Sequence, residues 1–146
     1  MFKTLSFLLV LWGACAPHAE VSQAEPLPAA GIVSNQFETS WAPSGKASIA
    51  EFARGENAFL GRLWLAPGAA VPEHQDPTEE FLYILSGKGV LTLNGITHAV
   101  GPGHVIYMPA KATVSFNNGD QPLEAIQVFA DPTSANKYQK WGPKPL

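Results

Sequence analysis

Between Glu73 and Glu80 the chain sets one histidine among four acids: Glu73, His74, Asp76, Glu79 and Glu80. Imidazole and carboxylate together can hold a borderline divalent metal, and they are also the groups that move protons. His74 and Asp76 are two apart, so on an extended strand both side chains face one way. Glu80 keeps the same parity across Pro77-Thr78. Three N and O donors with open positions would suit Fe, Mn or Zn. The same residues read equally as a solvated acidic loop, in which Asp76-Pro77-Thr78-Glu79 is a turn and no ion binds. Glu73 and Glu79, on the opposite parity, read as surface acids. The sequence has no Gly-x-Ser-x-Gly elbow and no phosphate-cradling glycine loop, and its single cysteine, Cys15, stands far upstream. Covalent catalysis is therefore not indicated.

The elements that must position these residues are short strands. Ile49 to Ala53 and Ala58 to Leu65 flank Arg54-Gly55-Glu56-Asn57, a turn. Phe81 to Leu85 follows the acidic stretch, and Val90 to Leu93 follows Ser86-Gly87-Lys88-Gly89, a hairpin signal. Asn94-Gly95 is a second tight turn before Ile96 to Val100. Val105 to Met108, Thr113 to Phe116 and Leu123 to Phe129 complete eight or nine strands with no room for crossover helices. The pattern predicts an all-β antiparallel sandwich or closed barrel over residues 47–131. A short helix and tail over 132–146 should pack outside it. Asp131 is a good N-cap, Pro132 suits the first helical position, and Ala135, Tyr138 and Trp141 recur every three residues. Inward positions should include Leu82, Ile84, Val114 and Phe116, with Trp64 and Met108 as further candidates. Gln127 lies between apolar neighbours, so its amide needs a partner, in the cavity or on backbone at the rim. Val114, Phe116 and Gln127 are the expected pocket residues.

The chain has 146 residues, 46% of them apolar and 14% charged, with 13 glycines, 13 prolines and a net charge of −3. One turn-rich domain fits these figures, and the absence of a basic stripe argues against nucleic acid as a partner. Met1-Phe2-Lys3 followed by the apolar run Leu5 to Trp12 has the form of a signal segment, and the run is too short to span a bilayer. Residues 15–46, rich in Ala, Pro, Ser and Glu, read as a flexible tether, part of which, between Ile32 and Trp41, could lie against the barrel.

The motif residues resemble the cupin family. Gly68, His74, Glu80 and Gly87 fall at the spacing of the first cupin motif, with Asp76 where its second histidine belongs. Gly103, Pro109 and Asn118 fall at the spacing of the second, with Lys111 in place of its middle glycine and Val114 in place of its histidine. The resemblance covers about residues 47 to 130 and implies a jelly-roll barrel. It also implies a divalent metal held by His74, Asp76 and Glu80, with nothing offered at Val114. Leu11-Trp12-Gly13-Ala14-Cys15 in turn resembles the lipobox of bacterial lipoproteins, which implies removal of residues 1–14 and a lipid on Cys15; ordinary signal cleavage is the rival reading. The expected protein is an envelope-anchored domain, facing the periplasm, that binds a metal, a small uncharged or cationic molecule, or both. The alternative is a metal-free ligand-binding or scaffold domain. Either is compatible with a homodimer formed through an exposed strand edge.

Overall fold

The computed structural model describes residues 31–146. The expected signal segment, Cys15 and the first part of the tether lie outside the described residues. Ten strands follow in order: β1 Thr39–Trp41, β2 Ala47–Arg54, β3 Phe59–Leu65, β4 Ala70–His74, β5 Glu80–Ser86, β6 Gly89–Leu93, β7 Ile96–Val100, β8 Val105–Met108, β9 Val114–Asn118 and β10 Leu123–Phe129. A 3₁₀ helix, Pro132–Lys140, closes the series. All pairings are antiparallel. One six-stranded sheet runs β1-β2-β3-β10-β5-β8 and faces a four-stranded sheet, β4-β9-β6-β7. This is the jelly-roll architecture that the strand rhythm predicts.

Period-two alternation decides what faces the interior. In β10, Leu123, Ala125, Gln127 and Phe129 are buried while Glu124, Ile126 and Val128 lie on the other face. In β5 the buried residues are Glu80 and Ile84, with Phe81, Tyr83 and Leu85 exposed. One cluster, including Leu65, Ile84, Leu91, Phe116 and Leu123, lies between the sheets. A second, formed by Ile49, Phe59, Phe129, Ala135 and Tyr138, lies beneath the C-terminal helix. Burying a side chain such as Phe59 or Phe129 contributes about 1.5–3 kcal/mol.

Several expectations change here. Thr39–Trp41 falls inside the expected tether, yet it is an edge strand paired with β2. Trp41 packs edge-on against Trp64 at 5.2 Å and exchanges both backbone hydrogen bonds with Gly142, at 2.7 and 3.1 Å. Those contacts hold it to the sheet. Trp64 itself points away from the cavity, because its neighbours Leu63 and Leu65 already line the cavity and alternation excludes a third consecutive inward residue. Tyr83 and Tyr107 are also outside; Tyr107 stacks on Phe81 at 5.1 Å and donates to Glu79 at 2.7 Å. The expected short C-terminal helix forms, as a 3₁₀ helix. A repeat of three residues suits it, since side chains at i and i+3 eclipse in that helix. Its expected cap forms, with Asp131 accepting from the Thr133 amide at 2.7 Å.

One motif departure has a visible consequence. Lys111 adopts φ 63°, the left-handed region that glycine occupies most cheaply. Its amide donates to the Asp76 carbonyl at 2.7 Å, so the turn is kept and ties the loop after β8 to the acidic stretch.

Candidate functional site

A cavity of about 480 Å³ lies between the sheets. Its walls are mainly apolar and include Leu65, Leu82, Ile84, Met108, Val114 and Phe116. Polar lining groups include His74, Gln75 and Asp76 around the end of β4, Glu80 and Gln127 from β5 and β10, Lys137 and Tyr138 from the C-terminal helix, and Ser44 ahead of β2. All the expected site residues line the cavity: His74, Asp76, Glu80, Val114, Phe116 and Gln127. Of the four acids, Asp76 and Glu80 line the cavity, while Glu73 is exposed and Glu79 accepts from Tyr107 outside.

The residues reach the cavity already engaged. The His74 Nδ1–H donates to the Pro72 carbonyl at 2.9 Å, which turns Nε2 toward Asp76 Oδ2 at 3.6 Å. The Lys137 ammonium donates to both Asp76 oxygens, at 2.8 and 3.1 Å. The deeper carboxylate, Glu80, accepts from the Gln127 side-chain amide at 2.6 Å. Gln127 in turn accepts from the Tyr138 hydroxyl at 2.8 Å. Gln127 thus has its partner inside the cavity rather than on backbone at the rim.

The titration of these groups follows from their partners. The Asp76 carboxylate facing Nε2 makes His74 easier to protonate than an ordinary imidazole, against the effect of burial. Burial pushes the Asp76 carboxyl up, but the bonds from His74 and Lys137 outweigh it and hold the group below the usual range. Burial raises Glu80, only partly offset by Gln127, and burial likewise raises Tyr138. The linkage signs differ accordingly. Asp76 contributes stability that is present above its ordinary value of 3.8 and is lost as pH falls through its lower folded value. His74 contributes below 6.5 and loses its contribution as pH rises through its higher folded value. Glu80 favours the fold when protonated, below 4.5, and this is lost as pH rises through its raised value. Glu80→Gln keeps an acceptor for Gln127 and removes the charge. It is expected to be more stable than wild type at neutral pH, with the advantage shrinking as pH falls toward 4.5. Urea midpoints between about pH 4 and about pH 8 measure this; an advantage that does not vary with pH would show that Glu80 is not the group titrating.

The expected metal set can be tested against this geometry. Among the described residues, no three His, Cys, Asp or Glu side chains are grouped so as to hold a metal ion. Both Asp76 oxygens are taken by Lys137, Glu80 is bonded to Gln127, and the residue opposite His74 on β9 is Val114. Two unit charges of like sign about 4 Å apart repel by roughly 4 kcal/mol in an environment of dielectric about 20, and a divalent ion doubles that. A divalent metal does not fit beside the Lys137 ammonium. The expected Fe, Mn or Zn set of His74, Asp76 and Glu80 is not assembled as a ligand group among the described residues. Sequence reasoning missed Lys137 and Tyr138. Tyr138 was visible as an apolar-face residue of the helix, but the 61-residue separation between Lys137 and Asp76 left no local trace.

Residues 61–129 match the cupin domain family. An RmlC-like cupin from Shewanella frigidimarina superposes with a TM-score of 0.62 at 14% identity, over 68% of this chain and 88% of that one. A predicted oxalate decarboxylase from Thermotoga maritima gives 0.55 at 28% identity, over 58% of this chain and 80% of that one. The dimethylsulfoniopropionate lyase DddW of Ruegeria pomeroyi is 30% identical over 71 residues, 49% of this chain. The chain spans only about half of that lyase, 47% of its length. The fold, the family match and the neighbours agree on a small cupin-type domain.

Proposed function

We propose, from the premise that residues 61–129 form a small cupin-type domain, that the barrel binds a small, largely apolar, uncharged molecule without a divalent metal. One observation carries this reading: a mainly apolar cavity of about 480 Å³ on which His74, Asp76, Glu80, Gln127, Lys137 and Tyr138 converge. Its size and its few convergent polar groups suit a small-molecule site. Lys137 and Asp76 cancel each other's charge, and burial favours the neutral form of Glu80. The polar groups therefore offer hydrogen bonds with little net field. A hydroxyl or carbonyl on the ligand would be matched there, while the rest of the ligand lies against Leu82, Ile84, Met108 and Phe116. The expected cell-envelope placement through Cys15 belongs to the same proposal, and its support is the sequence of residues 1–15.

The test compares indole, indoleacetate and tryptamine, which share a ring system and differ in charge. Indole is expected to raise the melting temperature of the folded domain more than either charged relative, and Leu82→Trp, which fills the cavity, should abolish the shift. The reading fails if no neutral probe shifts melting while zinc or nickel does so at one ion per chain.

A further inference from the structure

We infer that Lys137 is the built-in cation of this site: its ammonium takes the position that a divalent metal would need among His74, Asp76 and Glu80, and so decides what the cavity accepts. The inference rests on the metal-free reading above and goes further, since it names the residue responsible and predicts how metal binding can be created.

The position of Lys137 is built by packing. Its ammonium donates to Asp76 at 2.8 and 3.1 Å, and its other side faces the rings of Phe129 at 4.9 Å and Tyr138 at 5.6 Å. Cations over aromatic faces are held electrostatically by the ring quadrupole. The helix that carries it is fixed at several points: Tyr138 bonds Gln127 at 2.8 Å, the Thr78 and Ser134 hydroxyls share a bond of 2.6 Å, and Arg54 donates to the Pro132 carbonyl and to Asn136, both at 3.1 Å. Glu80 and His74 also lie within reach of the ammonium's field.

An ammonium differs from a metal in what it permits. It carries one charge, accepts no lone pair, and has no coordination position to open. It can offer a ligand only hydrogen-bond donation, which suits the acceptor of a carbonyl or hydroxyl. Removing it would expose Asp76 beside His74, whose Nε2 already faces that carboxylate while Nδ1–H is held by Pro72. Val114 lies directly across from His74 in the β4–β9 register, so a histidine there would bring a further nitrogen to the same point.

Nickel binding by isothermal titration to the folded domain and to Val114→His, Lys137→Met and Val114→His/Lys137→Met tests the inference. Wild type and Val114→His are expected to bind no stoichiometric nickel. The double variant is expected to bind one ion per chain, on the order of a hundredfold tighter than Val114→His, because like-charge repulsion and the competition for Asp76 are both gone. Lys137→Gln with Val114→His repeats the comparison while keeping a hydrogen-bond donor for Asp76, in case methionine undocks the helix. The inference is overturned if Val114→His binds nickel as tightly as the double variants, or if both double variants are folded by circular dichroism and bind none. Stoichiometric nickel on the wild type would instead overturn the metal-free reading itself, so the two failures are distinguishable.

Discussion

Gln127→Ala is expected to cost about 3–4 kcal/mol of stability, because it leaves two buried groups unpaired and adds a void. Gln127 is 3% exposed and is the link between two elements, donating to Glu80 on β5 and accepting from Tyr138 on the C-terminal helix. Each stranded partner costs about 1–3 kcal/mol when it cannot reach water. Losses of this size are a large fraction of the stability of a small domain. Urea unfolding at neutral pH measures the loss. A cost below about 1 kcal/mol would show that water enters to replace the amide, and that the Glu80–Gln127–Tyr138 chain does not organise the cavity.

Phe129→Ala should cost a similar amount, about 3–5 kcal/mol, for a different reason. The ring is fully buried, packs at 5.9 Å on Phe59 and 6.5 Å on Tyr138, and supports the Lys137 ammonium at 4.9 Å. Its removal empties the second core cluster and loosens the helix above it. The variant should therefore be cleaved by trypsin after Lys137 and Lys140 well before the barrel itself is degraded. Simultaneous loss of helix and barrel signals would mean that the helix is not a separable unit and would refute this part of the prediction.

The barrel was legible in the sequence because alternation and turn chemistry are local. Leu123 to Phe129 reads as an apolar-rich run after a turn, and Asn94-Gly95 declares its turn, with φ values of 48° and 81° in the structure. His74, Asp76 and Glu80 do line the cavity, although Asp76 sits in the loop between β4 and β5, where alternation does not apply. What these residues do there was not legible, because their partners are remote. Lys137 meets Asp76 across 61 residues and Gln127 meets Glu80 across 47. A metal expectation built on ligand types alone could not anticipate an ammonium arriving from the far end of the chain. Trp41 and Trp64 were obscured similarly: an aromatic at a barrel edge looks the same in sequence whether it turns inward or clasps a neighbour on the outside.

That clasp has a mechanical side. Trp41 and Gly142 exchange two hydrogen bonds, so the strand that enters the domain and the segment that leaves it are joined at one corner. Trp141, the next residue back, lines the cavity together with Tyr138 and Lys137. Tension arriving along the chain ahead of Thr39 is thus borne by the β1–β2 pairing and then by the segment that walls the ligand space.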